Sequence, residues 1–473
     1  MMTALSVPEP TINRNESGSY RDRTGRVFYH GDLVLRGLNP TALADWEFVS
    51  RTDFFQKAID AGSVVHTERV SEELAERYDP QKTWAGVLRH ERVPVISYPF
   101  EWSFQMLRKA ALTYLDLMHA ALDEEVSLKD GTSYNMQWNG VRALFIDIPS
   151  FHHLQPGEPW LGYRQFCQLF LYPLMLSAYK NVDFQPWLRG DLEGPTPSQF
   201  DQLMTIRDWF RAGVFTHVHL HARLDGAASR QRPVKKDLHT AGFQTRMIQY
   251  NVRGLKKIVA ALRCSTDSEW SDYEEHVPYN DLGHTQKQQF VSQILSQEHW
   301  KQIWDLGCNT GEYSRLAAPH ADYVLALDRD PAAIDRLFAQ LQQKDVKNVL
   351  PLVCDLANPT SDCGWRNRER TTLLSRGRPQ LTLSLALMHH LSIGANIPLA
   401  SLVDWLTSLG PHLIVEFVSK QDPMVQQLLR NKRDDYDDYR LENFEALLGS
   451  RCKIVNRCEL SGGTRTLYYA VRN

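Results

Sequence analysis

The stretch Asp305-Leu306-Gly307-Cys308-Asn309-Thr310-Gly311 constrains this chain more than any other. It follows Ile303-Trp304 and precedes a helix-like run at 312–318, so it predicts a strand, a tight turn and a helix start. That combination cradles a nucleotide-like ligand at a helix N-terminus. One glycine permits positive φ, and the other removes a side chain so that a ligand can approach the main chain. Asn309 stands where a third glycine is expected, and asparagine tolerates the left-handed region better than most residues.

A glycine turn alone is weak evidence, and the next two strands strengthen it. Residues 323–327 form an apolar run ending in Asp328, and 349–354 form another ending in Asp355, followed by Leu356. Three successive strands that each end in an acid place three carboxylates at one edge of a parallel sheet. Ligands of open α/β sheets bind beyond the carboxyl ends of the strands. An acid after the second strand suits a ribose diol, and one after the third suits an adenine amino group.

This spacing resembles the class I S-adenosylmethionine-dependent methyltransferases. Their first motif has an acid two residues before the first glycine, as Asp305 stands before Gly307. The dinucleotide fingerprint G-x-G-x-x-G lacks that acid and spaces its glycines differently. The resemblance implies S-adenosylmethionine as cofactor, held by Asp305, Gly307, Asn309, Thr310, Gly311, Asp328, Asp355 and Leu356. It extends over 283–473. Residues 380–387 read as the fourth strand and 412–418 as the fifth. Residues 453–460 and 464–471, joined through Ser461-Gly462-Gly463, read as a closing hairpin. The expected fold class is α/β: a doubly wound, Rossmann-like sheet with an antiparallel closing hairpin, behind a mixed α+β, largely helical N-terminal region.

At 473 residues the chain is too long for that domain alone. The expected division is an arm at 1–24, an accessory or substrate domain at 25–263, a linker at 264–282 and the methyltransferase domain at 283–473. A net charge of −3 and a pI near 6.6 show no global basic excess toward nucleic acid, although a local basic patch stays open. The seven cysteines are scattered, odd in number and without CxxC, which reads as reduced thiols in a cytoplasmic protein. The longest apolar stretch, 166–178, is broken by Gln168 and Pro173 and is too short to span a bilayer.

In the N-terminal half, 26–38 reads as a hairpin through Gly31-Asp32, 64–70 as a strand, and 42–61, 99–122, 163–179, 197–212 and 245–263 as helices. Asp130 and Asn135 stand in a D-x4-N spacing, and Asp147 follows twelve residues later after two apolar residues. This resembles the catalytic loop and metal-binding acid of protein kinases and aminoglycoside-phosphotransferase-like enzymes. Leu128 replaces the usual histidine, no glycine-rich phosphate loop precedes it, and Lys57 falls in a helical pattern. The resemblance therefore implies a kinase-like scaffold without phosphotransfer. The alternative is a hairpin turn at Asp130-Gly131 and a loop cap at Asp147.

His217, His219 and His221 would share a face on a strand, a metal-like arrangement, but a face of hydrogen-bonded imidazoles is the preferred reading and no metal is expected. His389 and His390 follow the fourth strand, where the methyltransferase family places substrate-facing residues, and a neutral imidazole there accepts the acceptor's proton. Glu416, which ends the fifth strand, is a further candidate catalytic residue lining the same pocket; its alternative role is an N-cap or loop hydrogen bond. Residues 364–370 interrupt the domain over the cofactor edge as a lid or a solvated loop.

The expected enzyme methylates O or N of a small-molecule or glycan biosynthetic intermediate. Its overall layout is similar to methyltransferases of rhizobial host-specific nodulation. The alternatives are an RNA or protein methyltransferase, and a cofactor-binding interaction protein that has lost activity.

Overall fold

The computed structural model describes residues 13–228, 245–264, 281–430 and 432–473, without the side chains of 226–228 and 281. Most of the expected linker, and the first half of the expected arm, lie outside the described residues.

The N-terminal region begins with a five-stranded antiparallel sheet of β1 (Arg14–Asn15), β2 (Gly25–His30), β3 (Leu33–Leu38), β4 (Thr67–Arg69) and β5 (Gly86–His90), in the order β1-β2-β3-β5-β4. The hairpin through Gly31 forms as expected, with Gly31 at φ +60°. Residues 42–61 are two helices rather than one, α1 (Pro40–Val49) and α2 (Asp53–Asp60). Thr52 breaks the run because its hydroxyl accepts the Phe55 N–H and starts a new helix. The strand expected at 64–70 shortens to β4, and Val64 instead bridges to Phe145.

The long helix expected from 99 divides into a short 3-10 turn, Pro99–Glu101, and α3 (Phe104–Leu122). Helix α3 is the buried axis of the N-terminal region: eleven of its residues, from Phe104 to Leu122, are buried. Beside it lie two short antiparallel pairs, β6 (Val126–Leu128) with β9 (Phe151–His153), and β7 (Met136–Asn139) with β8 (Arg142–Phe145). A helical layer follows, including α4 (Tyr172–Lys180) and α5 (Thr245–Ala261).

The C-terminal half is a seven-stranded, mostly parallel sheet. Its strands are β10 (Trp300–Leu306), β11 (Ala321–Asp328), β12 (Val349–Val353), β13 (Leu381–Ser384), β14 (His412–Val418), β15 (Cys452–Glu459) and β16 (Arg465–Arg472). Their order is β12-β11-β10-β13-β14-β16-β15, with the last two antiparallel, so the expected closing hairpin is present. The parallel strands are buried along nearly their whole length, as a sheet covered on both faces requires. The helices around it include α6 (Asp281–Leu295), α7 (Glu312–Ala317), α8 (Pro331–Gln343), α9 (Leu399–Leu409) and α10 (Leu441–Arg451).

One hydrophobic core runs through both halves. Trp138 of β7 meets Phe338 of α8 edge-on at 5.2 Å, and the Gly140 N–H donates to the Tyr323 hydroxyl at 3.0 Å. A buried ion pair closes the same seam. Arg376 bonds both Glu101 oxygens, at 2.9 and 2.5 Å, and donates to the Ile96 carbonyl.

Residues 13–24 depart from the arm expected there. The Ser17 hydroxyl donates to the Arg368 carbonyl, and Arg21 bonds Glu369 at 2.5 Å. The 364–370 insertion is therefore not a free loop but the surface onto which this segment docks, with Glu369 buried.

Candidate active site

The turn after β10 has the predicted backbone. Gly307, Asn309 and Gly311 lie at φ +72°, +49° and +76°. Both glycines therefore serve the left-handed conformation. The missing side chain of Gly311 makes room for Leu337 of α8, whose Cδ1 lies 2.3 Å from where a Cβ would sit. Close packing of helix on turn, rather than ligand approach, fixes that glycine. The Gly307 and Cys308 N–H groups both donate to the Leu327 carbonyl, tying the turn to the end of β11.

Three carboxylates reach this edge in different states. Asp305 is 2% exposed and accepts the Ser314 hydroxyl at 2.6 Å, and burial pushes its carboxyl up to about 6. Asp328 accepts the Asn309 N–H at 2.8 Å and the Asp330 N–H at 2.9 Å, and burial raises its pKa too. Each Asp328 oxygen holds one backbone donor and keeps a lone pair for another. Asp355 is exposed, and its Oδ1 accepts the Ala357 N–H, a turn that presents Leu356 beside it. Thr310 is buried within the turn, and its carbonyl accepts from Arg315. The two strand-end acids and the turn are thus one bonded unit. The third acid stands at the rim of the same edge.

This arrangement fits S-adenosylmethionine by its donor set: a left-handed turn, a carboxylate with free lone pairs after β11, and a second acid after β12. When bound, that cofactor supplies a methyl group on a sulfonium, already a good leaving group.

The fourth-strand residues form a second layer. His389 is fully buried, and among the described residues neither of its ring nitrogens has a hydrogen-bond partner. Burial, helped by His390 and the cations Arg465 and Lys287, holds its pKa well below the usual imidazole value. His390 is half-buried, and burial with Arg329 and Arg465 lowers it to about 4. Their ring centroids lie 4.1 Å apart.

Glu416 is fully buried and bound on every side. Lys287 of α6 donates to Oε2 at 2.6 Å, Arg465 lies 3.7 Å from Oε1, and the Ala386 N–H donates to Oε2 at 2.9 Å. Ala386 has φ +51°, a strained value for alanine. Glu416 thus holds a strained loop that leads into His389, the loop hydrogen bond that was its alternative role. Sequence gave no sign of Lys287, which reads as an ordinary lysine of an amphipathic helix, nor of Arg465 on the hairpin.

The N-terminal constellation also comes together. Asn135 donates to Asp147 Oδ2 at 3.1 Å, and Asp130 lies near enough to Asp147 for its charge to be felt. Arg36 of β3, which nothing in the sequence singled out, bonds Asp147 Oδ1 at 2.5 Å. The three histidines fall on a helical stretch, not on a strand. His217 meets the Tyr163 hydroxyl, His219 meets Asp201, and His221 meets the Tyr172 hydroxyl, at 2.8, 3.1 and 2.9 Å. His217 and His221, one helical turn apart, share a side with Tyr163 and Tyr172, while His219 faces Asp201 and Trp209, so the three imidazoles do not line one face as they would on a strand.

No family model matches the chain. A curated relative, the nodulation protein NoeA of Rhizobium meliloti (strain 1021), is 36% identical over 461 residues, covering 96% of this chain and 95% of its own. The chain belongs to the NoeA family. Solved structures with a partial likeness are methyltransferases. The N-methyltransferase NodS from Bradyrhizobium japonicum WM9 is 14% identical, covers 41% of this chain and 98% of its own, and has a TM-score of 0.31. The magnesium protoporphyrin IX methyltransferase ChlM from Synechocystis PCC 6803, with bound S-adenosylhomocysteine, is 16% identical, covers 44% and 90%, and scores 0.32. The bifunctional kinase-methyltransferase WbdD is 14% identical, covers 44% and 41%, and scores 0.29. Likenesses this faint carry no weight beside the strand order and turn geometry of this NoeA-family chain.

Proposed function

We propose that this protein is a S-adenosylmethionine-dependent methyltransferase acting on O or N of a small-molecule or glycan intermediate. One observation carries the reading. The Gly307–Gly311 turn is in the left-handed conformation and bonded to Asp328, at the carboxyl edge of a parallel sheet closed by an antiparallel hairpin. Asp328 then takes the ribose hydroxyls, and Asp355 with Leu356 faces the adenine.

Methyl transfer asks little of the protein beyond alignment, exclusion of water and removal of one proton. His389 and His390 are neutral at physiological pH and stand on the segment that follows β13, so an imidazole there receives a proton rather than supplying one. Lys287, Glu416 and Arg465 hold the loop that positions them.

Titration calorimetry with the purified chain tests the reading. S-adenosylmethionine and S-adenosylhomocysteine should bind, and NADH should not. Binding of NADH alone would replace it with a dehydrogenase. Label transfer from methyl-labelled cofactor into a size-fractionated lysate then separates acceptors. Label in the small-molecule or glycan fraction agrees with the proposal, and label confined to RNA or protein overturns the acceptor class.

A further inference from the structure

The strand order leaves β12 at one edge of the C-terminal sheet, with β11 as its single strand neighbour. A loop that leaves an edge strand has backbone groups to satisfy and no second strand to lean on. The loop after β12, 355–360, carries Asp355 and Leu356, the residues proposed to face adenine. It supplies one turn of its own: the Ala357 N–H donates to Asp355 Oδ1, and the Asn358 N–H donates to the Asp355 carbonyl. Asp355 is exposed, so packing does not fix its direction.

Among the described residues, every other hydrogen bond of 356–360 comes from the N-terminal half. Arg189 Nη1 donates to the Asn358 carbonyl at 2.7 Å. Its Nη2 donates to the Asn358 side-chain oxygen at 3.1 Å and to the Pro359 carbonyl at 2.8 Å. At the far end of the loop, the buried Thr360 hydroxyl donates to Glu101 Oε1 at 2.5 Å. Glu101 is the carboxylate that Arg376 also holds.

Both groups sit on anchored backbone. Arg189 belongs to a short helix, Gln185–Gly190, whose Leu188 is buried and whose Gln185 Nε2 donates to the Trp102 carbonyl at 2.9 Å. That helix packs on the Pro99–Glu101 turn, and the turn packs on β12. A planar guanidinium that spans two carbonyls and an amide oxygen fixes direction as well as distance. Holding a loop in its ligand-ready shape strengthens binding, because the loop need not be ordered when the ligand arrives.

We propose that Arg189 is a positioning residue for adenine recognition, with the Thr360–Glu101 bond as its second anchor. The N-terminal half, rather than the sheet, fixes the loop that aims Asp355 at the ring amino group. Because Asp355 faces adenine only in the S-adenosylmethionine reading, this role rests on that reading.

Calorimetry on the full chain tests it with S-adenosylhomocysteine and its inosine counterpart, in which a carbonyl oxygen replaces the ring amino group. Wild type should prefer the adenine form. That preference should fall about threefold to tenfold in Arg189→Met and in Thr360→Val, as loss of the anchoring hydrogen bonds requires. Arg189→Lys should recover part of it, since an ammonium still donates to a carbonyl. In an Asp355→Ala background, Arg189→Met should change the preference no further. Equal loss of both ligands in the two single variants, the mark of a merely destabilised fold, overturns the proposal. So does an unchanged affinity for both, a further loss of preference on top of Asp355→Ala, or a wild type that binds the two forms equally. A wild type that binds neither overturns the cofactor reading itself, whereas normal binding with unaltered variants overturns the positioning role alone.

Discussion

Asp328 illustrates how one side chain can hold the fold and, in the proposed function, meet the ligand as well. It already holds the glycine turn through the Asn309 N–H, and it has lone pairs left for a diol. Asp328→Ala should weaken S-adenosylmethionine binding by about 1–3 kcal/mol, the usual value of charge-assisted hydrogen bonds. Calorimetry showing unchanged affinity would remove the ribose assignment. The histidines change a simpler expectation. An imidazole of ordinary pKa would make turnover rise between pH 6 and 7. His390, lowered to about 4, is already deprotonated there, and a base is active when deprotonated. Turnover should therefore rise through about pH 4 and stay flat from 6 to 8. If one of the pair is the base, its Gln variant should lose about 10²–10⁴ in kcat while cofactor affinity holds. Full turnover in both single variants would exclude the pair. Asp147, with both oxygens engaged by Arg36 and Asn135, should be dispensable for methylation. Asp147→Asn should leave methyl transfer largely intact, and ATP with magnesium should give no thermal shift.

At the scale of elements, what sequence revealed was local. The turn, the acids that end β11 and β12, and the closing hairpin each announce themselves within a few residues, because backbone sterics and strand burial leave a short-range pattern. The pairs that stabilise the site do not. Lys287 and Glu416 are 129 residues apart, and Arg36 and Asp147 are 111 apart. Lys287 and Arg36 alone read as surface charges, and nothing near them in sequence names the acid each one meets. Thr52, which divides α1 from α2, was legible only as a polar residue inside a helical period. Gly311 offers a test of the helix-on-turn packing. Gly311→Ala adds a Cβ 2.3 Å from Leu337 at φ +76°, so it should destabilise the fold by more than about 1 kcal/mol and weaken cofactor binding with it. A melting curve and a titration on the same sample read both. An unaltered pair of values would mean that the turn relaxes freely.

For the whole molecule, sequence separated an N-terminal region from a C-terminal one, but the structure ties them through one core and one buried ion pair. Composition cannot show this, since Trp138 and Phe338 are as apolar in two separate domains as in a shared seam. Truncating Arg376 to Met should leave the Glu101 carboxylate buried without a cation, at a cost of about 3–5 kcal/mol. Chemical denaturation should show the loss as one cooperative transition. Two separated transitions would mean that the halves are independent. The expected arm failed in the same way. Its polar residues at 13–24 look unstructured in isolation, and the acids that pair with Arg21, Glu369 and Glu193, are far away in sequence.

The distance between Glu101 and Arg376 also sets a clock. They are 275 residues apart in the chain. At roughly 5–20 residues per second of translation, the carboxylate is made about 14–55 s before its guanidinium partner. For that interval the nascent N-terminal half must keep Glu101, and the seam face of β7 and β8 around it, in water. Its last packing step thus waits for the other half to be made. Ribosome-stalled chains halted before residue 376 should be cut by protease at the seam, and chains released after it should resist.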